Sequence, residues 1–251
     1  MPNEPICTLI LAGGYGTRLG DLGRSMAKPL LRIKGKTILD HILEKTNKIQ
    51  CPNQTYILIN SKFATQYEHW IRQRTESLSL TLVNNQDLSA DRAPDIITNI
   101  AMTISQMTPH SDLLIIGGDN FFDFSLWDFV VYSRAHRGIS TVLVDVKTIE
   151  EARQFSVVSL DKGDRIMDIS EKPSWPSSLT VTTCIYWFPK DRLHYFSHYS
   201  KEMPHSESFG QFFQWVCAIE PVFGYRCLGN WHDIGTREVY ESLAEPTRQQ
   251  T

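Results

Sequence analysis

The chain has 251 residues, 41% of them hydrophobic and 21% charged, with a formal net charge of −3. That length fits one large α/β domain of ordinary globular composition. With no Lys/Arg run beyond isolated pairs, a nucleic-acid surface is not expected, and no apolar stretch approaches the roughly 18 residues of a membrane span. Five scattered cysteines form no Cys-x-x-Cys pair, so neither zinc nor a redox centre is expected. A reduced, cytoplasmic setting is the default expectation. The opening Met-Pro-Asn-Glu-Pro lacks the charged region of a signal peptide.

The first predicted element is a buried strand over 6–11, which breaks into Ala12-Gly13-Gly14-Tyr15-Gly16-Thr17-Arg18. A parallel strand that opens into glycines exposes backbone N–H groups at its carboxyl end. With a helix N-terminus behind them, those groups suit phosphate oxygens. Gly13, Gly14 and Gly16 allow close backbone approach, and Arg18 and Lys28 can neutralise charge. A plain strand-to-helix turn with solvated cations fits the same residues. The Walker A spacing is absent, and Gly14, Gly16 and Gly20 miss the dinucleotide Gly-x-Gly-x-x-Gly by one residue.

A short strand over 30–33 comes next, then a helix starting at Thr37 with Ile38, Leu39, Ile42, Leu43 and Ile49 as its apolar stripe. A strand at 56–60, a helix at 63–74 and a strand at 81–83 complete a β-α-β-α-β order. That order predicts a parallel sheet with helices on both faces. The polar loop at 84–95 leaves the carboxyl end of a strand, where open sheets bind ligands. Asn85 or Gln86 can present a carboxamide to a base edge there, while Asp91 and Arg92 can pair in solvent. A helix at 96–107 precedes a strand on the four consecutive aliphatics 113–116 of the stretch 112–122, buried on both faces. Gly118 and Asp119 stand just past its carboxyl end. A hard cation bound to phosphates takes carboxylate oxygens in such a place, and a turn aspartate fits it as well.

A helix is predicted at 123–136, with its aromatics as packing, and a strand at 141–146. Residues 156–160 and 165–169 form a hairpin around Asp161-Lys162-Gly163-Asp164. It runs into Glu171-Lys172-Pro173, where Pro173 is expected to hold Lys172 extended. A strand at 179–188 leads to helices at 191–199 and 209–219. The aromatics of those two helices predict a satellite core, and His136, His194, His198 and His205 read as surface residues. After a strand at 222–227, Thr236 is placed to cap a last helix at 237–243.

Three segments together resemble one family. Leu11-Ala12-Gly13-Gly14-Tyr15-Gly16-Thr17-Arg18-Leu19 with Lys28-Pro29-Leu30, then Glu171-Lys172-Pro173, then Trp231-His232-Asp233-Ile234-Gly235-Thr236 stand in the order found in sugar-1-phosphate nucleotidylyltransferases, the NDP-sugar pyrophosphorylases. The resemblance covers residues 6 to about 243. It implies an α/β chain with a three-layer α/β/α, Rossmann-like nucleotide-diphospho-sugar transferase fold. The central sheet would be mixed and mostly parallel, with a β-hairpin over the sugar side. A single nucleotidyltransferase domain would place nucleotide on about 1–120 and sugar phosphate on about 121–243.

The implied reaction joins an NTP to a sugar 1-phosphate, releasing pyrophosphate, with Mg²⁺ as cofactor on Asp119 and Asp233. Arg18 and Lys28 would be catalytic. Leu11, Ala12, Gly13, Gly14, Gly16, Thr17, Asn85, Gln86 and Gly118 would meet the nucleotide, and Glu171, Lys172 and Thr183 the sugar phosphate. The chain departs from the family pattern at Ser156 and near Thr183, where relatives carry glycine, and in the 84–95 loop, which has none. Transfer of CMP to a non-sugar phosphate or phosphonate therefore stays open, as does a non-catalytic regulatory paralogue. The glycine spacing disfavours an NAD(P) oxidoreductase. The base, the acceptor and the oligomeric state, a homo-oligomer included, stay open.

Overall fold

Strand β1 (Ile6–Leu11) lies at the centre of the sheet, and Ile6, Leu9 and Ile10 are at most 1% exposed. Both its faces are covered, which is why its sequence is an apolar run without alternation. The computed structural model describes residues 4–74, 79–84, 95–107, 111–203 and 208–244. After β1 come α1 (Asp21–Ser25), β2 (Arg32–Ile33), β3 (Lys36–Thr37), α2 (Ile38–Thr46), β4 (Asn53–Ile59), α3 (Ala64–Arg72) and β5 (Leu80–Asn84). Next are α4 (Ile96–Gln106), β6 (Asp112–Gly117), β7 (Asn120–Phe122), α5 (Leu126–His136), β8 (Ile139–Asp145), α6 (Ile149–Ala152), β9 (Ser156–Leu160) and β10 (Ile166–Glu171). The remainder is β11 (Thr180–Phe188), α7 (His194–Glu202), α8 (Phe209–Ile219), β12 (Val222–Arg226), β13 (Trp231–Asp233) and α9 (Arg237–Leu243).

Among the described residues, nine strands make one mixed sheet. β5, β4, β1 and β6 run parallel in that spatial order, and β11 joins β6 antiparallel. β8 and β9 both pair with β11; β12 extends β8 and β10 extends β9. Helices α2, α3 and α5 pack on one face, and α4, α7 and α8 on the other, so the expected three layers are present. No helix among the described residues is long and apolar enough to cross a membrane.

Local chemistry sets the boundaries. Thr37 and Asp40 close a capping box on α2. Asp95 caps α4 through Ile97 and Thr98 N–H, and Thr236 caps α9 as anticipated. The strand expected at 30–33 shrinks to two residues, because Lys28–Leu30 forms a 3₁₀ turn around Pro29, which has no N–H for a ladder. The helix expected at 123–136 begins only at Leu126, capped by Ser125, and residues before it form β7.

The aromatics of α7 and α8 are not a satellite. Phe196, Phe212 and Phe213 are fully buried and share one cluster with Leu9, Leu113 and Ile115 of the central strands. They form the core of the sheet's second face. His194 and His198 are exposed as expected, but His136 is half-buried, its ring between Tyr132 and Phe223 and its Nδ1 2.9 Å from the Tyr132 carbonyl. His205 lies outside the described residues.

Candidate active site

The carboxyl ends of β1, β4 and β6 meet at the glycine-rich turn. Ala12 N–H donates to Leu58 O (2.8 Å) and Gly118 N–H to Leu11 O (2.9 Å). The turn is tied to the strand behind it: the Gly13 carbonyl accepts from Asn60 Nδ2 (2.7 Å), and the Ala12 carbonyl from the Tyr67 hydroxyl (2.8 Å). A Cβ on Gly14 would meet nothing within 4 Å, and on Gly13 nothing closer than 3.7 Å. That side of the turn is open to a ligand. Gly16 has φ +66° and packs directly on Gly23, where any Cβ would collide with the Gly16 carbonyl. The helix expected behind the turn is correspondingly short, a 3₁₀ turn at Thr17–Leu19 and then the five-residue α1. Gly118 is fixed by space: a Cβ there would stand 2.8 Å from Leu11 O and 2.9 Å from Pro29 Cγ. Gly118→Ala is therefore expected to destabilise the fold by about 1–3 kcal/mol, as core overpacking does. Thermal unfolding measures this, and an unchanged Tm would contradict it.

β6 ends just before Asp119, and the antiparallel ribbon of β7 with β13 brings Asp233 alongside. Asp233 is in register with Asn120, and Ile234 N–H donates to the Asp119 carbonyl (2.9 Å). Asn120 pins the ribbon, donating to Gly117 O (3.1 Å) and accepting from the Trp231 indole N–H. Lys28, with 11% of its side chain exposed, places Nζ 3.0 Å from Asp119 Oδ2. Burial, and then the negative charge of Asp119, push the Asp233 carboxyl upward; Lys28, Arg18 and Lys172 oppose that shift. Gly235 leaves room for this carboxylate, since a Cβ there would lie 2.6 Å from Asp233 Oδ2 and 3.6 Å from an Arg18 Nη. Arg18, Lys28, Asp119 and Asp233, spread over more than two hundred residues of chain, thus converge.

Among the described residues, no three His, Cys, Asp or Glu side chains gather as a complete protein cage for a metal. Two carboxylates presenting only oxygen fit Mg²⁺, which takes one or two protein carboxylates and fills its other positions with water and phosphate oxygens. Asp119 and Asp233 are the residues that would hold it.

The carboxylates line a cleft of about 250 Å³ that runs on to Glu171, Lys172 and the start of α8. Lys172 is not extended; its φ is +45°. Its N–H donates to Phe155 O (3.1 Å), one step past the hairpin pairing of Glu171 with Ser156, and the chain then reverses. Pro173 disfavours the right-handed helical region, and the left-handed region keeps this last bond. Such strain, of order 1–3 kcal/mol, is typical of functional sites. Thr183 lines the cleft but is fully buried, with its hydroxyl donating to Val142 O (3.1 Å). The register of β11 against β8 slips between Thr182 and Tyr186, and this bulge turns the strand at the cleft wall.

Sequence reasoning missed Phe155, Tyr186, Ser208, Phe209, Gly210 and Trp231 as lining residues. A signal for one wall existed, since Ser208 with Gln211 three residues on has the form of a capping box, and Ser208 does cap α8. Asn85 and Gln86 lie outside the described residues. Leu11 is half-buried at the base of the turn, and Thr17 and Arg18 are exposed at its far end.

A sequence model described as nucleotidyl transferase matches residues 7–250. The chain belongs to this family. Its members are nucleotidyl-transferring enzymes, and the convergent cations and carboxylates lie within the matched span. Among solved structures, the chain is similar to a Bacillus anthracis protein described as a glucose-1-phosphate thymidylyltransferase, in complex with a sucrose. The identity is 22%, the TM-score 0.79, and the match covers 95% of this chain and 93% of that one. It is also similar to a UDP-glucose pyrophosphorylase complexed with UDP-glucose, at 16% identity and TM-score 0.78, over 95% and 96% of the two chains. An apo UDP-glucose pyrophosphorylase gives 16% and 0.77 over the same shares. These likenesses show the fold of this nucleotidyl transferase.

Proposed function

We propose that this nucleotidyl transferase joins an NTP to a sugar 1-phosphate, giving an NDP-sugar and pyrophosphate. The observation that carries this reading is the Lys28–Asp119–Asp233 cluster beside an open glycine turn, with Arg18 and Lys172 on the same cleft. The acceptor's phosphate oxygen attacks the α-phosphorus in line. A new P–O bond forms, the bond to the β-phosphate oxygen breaks, and pyrophosphate leaves with that electron pair.

No protein nucleophile is required, because the attacking group is already an anion, so the protein contributes positioning and charge. Lys28, largely buried, stabilises charge on the α-phosphate. Arg18, at the exposed rim, holds the β- and γ-phosphates, and Lys172 holds the incoming phosphate. The backbone of Gly13 and Gly14 meets the nucleotide, and Asn85 or Gln86 reads its base. Asp119 and Asp233 would hold Mg²⁺, which would supply neutralisation of the leaving group.

Pyrophosphate release in Mg²⁺ tests this across several NTPs, sugar 1-phosphates, phosphocholine and a phosphonate. Release that needs an NTP and an acceptor together is the expected result. A folded protein that binds no NTP by calorimetry would overturn it.

A further inference from the structure

In the acceptor half of the cleft, Glu171 is the acidic side chain that remains once Asp119 and Asp233 are assigned to the metal. A carboxylate at this point is the natural partner for hydroxyl groups on the acceptor, because it only accepts hydrogen bonds. Here both oxygens are already engaged by the protein. Ser156, 4% exposed, donates its hydroxyl to Oε2. Ser208, the cap of α8, donates to Oε1 at 3.3 Å, and Lys172 Nζ stands 3.7 Å from the same oxygen. Gly210 packs so tightly on the carboxylate that a Cβ would collide with it, and only 14% of the Glu171 side chain is exposed.

Other polar side chains along this wall are committed in the same way. Thr183 donates to Val142 O, the Tyr186 side chain pairs with that of Thr182, and the Trp231 indole donates to Asn120. What faces the acceptor is Lys172 for its phosphate, the rings of Phe155, Phe209 and Trp231, and, at the exposed rim, the single carboxamide of Gln154.

We infer that Ser156 is a specificity residue, its hydroxyl standing where a substrate hydroxyl would otherwise donate to Glu171. The preferred acceptor is then a phosphate monoester whose head is poor in hydroxyls, either a deoxygenated sugar 1-phosphate or a non-sugar phosphate. This rests on the reading of the chain as an NTP-dependent transferase and narrows its acceptor. A site whose buried acceptor awaits a substrate hydroxyl strongly rejects analogues that lack it. A site that supplies the hydroxyl itself removes that penalty, and leaves a fully hydroxylated head without a partner at that point.

The test compares kcat/KM for glucose 1-phosphate, its 2-, 3-, 4- and 6-deoxy analogues and phosphocholine, in the wild type, Ser156→Gly and Ser208→Ala. In the wild type, at least one hydroxyl-poor acceptor is expected to exceed glucose 1-phosphate by about tenfold or more. A deoxy analogue in that place identifies a sugar source, and phosphocholine a non-sugar one. Ser156→Gly uncovers Oε2 and is expected to shift the ratio about tenfold toward glucose 1-phosphate, with KM for the NTP unchanged. Ser208→Ala removes the hydroxyl donor of Oε1 and leaves that oxygen to Lys172 alone, so it shifts the ratio in the same direction by a smaller factor, which keeps the test decisive should the glycine variant not fold. Wild-type preference for glucose 1-phosphate over every hydroxyl-poor acceptor overturns the inference. So do variants that scale all acceptors by one factor, the mark of a merely structural role. No pyrophosphate release with any acceptor, by any of the three proteins, overturns the transferase reading instead.

Discussion

Asp119→Asn is expected to lower kcat by about a thousandfold or more at saturating NTP, acceptor and Mg²⁺, the scale of losing charge stabilisation at a transferring phosphoryl group. The substitution keeps the size of the side chain and an oxygen that Lys28 can still meet, so the ribbon of β7 and β13 has no steric reason to move. It removes one of the two negative charges that would hold the metal. Lys28, only 11% exposed and 3.0 Å from Asp119, loses its anionic partner and keeps the more distant Asp233. Removing the charge from a buried bond of this kind costs about 1–3 kcal/mol, enough to lower Tm without unfolding the chain. Circular dichroism should show native secondary structure, and the rise in Tm that Mg²⁺ gives with a bound NTP should be lost. Wild-type turnover in this variant would remove Asp119 from the metal site. Loss of the fold in Asp119→Asn, alongside a folded, inactive Asp233→Asn, would assign Asp119 a structural role as well.

The parts of the site readable in the sequence are those set by short-range rules. β1 and β6 are aliphatic runs because both their faces are covered, and the residues just past such a run in an open sheet stand at the ligand edge. This rule points to the turn that carries Arg18 and to Asp119, whereas Lys28 as a catalytic cation and Asp233 as a metal carboxylate are what the family resemblance implies. That Lys28 and Asp119 touch, 91 positions apart, needed the fold. Lys172 was misjudged because the pre-proline preference is local, whereas its backbone serves a hairpin bond to Phe155. The wall at Ser208 and Gly210 went unseen because its importance lies in what it packs against, the Glu171 carboxylate, and that partner is 37 residues away. The aromatic content of α7 and α8 was visible, but aromatic composition does not say which face of which sheet receives it. Thr183 illustrates the same limit, since its position on the cleft was foreseen and its bond to Val142 was not.

Lys28→Met is expected to reduce kcat by about a hundredfold to a thousandfold, with little change in KM for the acceptor, because the charge it supplies matters most as negative charge shifts during transfer. Met preserves the bulk of the stem, which is buried beside Pro29 and Leu30, so the 3₁₀ turn that carries it should persist. The electrostatic consequence goes further than catalysis. In the wild type, the Lys28 ammonium opposes the combined negative charge of Asp119 and Asp233. Without it, two neighbouring carboxylates in a partly buried site repel each other with one cation fewer, and the metal-free protein should be less stable. A divalent cation relieves that repulsion, so Mg²⁺ should raise the Tm of Lys28→Met by more than it raises that of the wild type. A variant damaged only in packing would show the lower Tm without the larger Mg²⁺ response. Lys28→Arg separates charge from reach: it restores the cation, and with it the ordinary Mg²⁺ response. Its planar fork cannot place a point charge where the ammonium sits, so turnover should recover only in part. Full recovery in Lys28→Arg would mean that any cation in this corner suffices, and that the position of the ammonium beside Asp119 is not what the reaction uses.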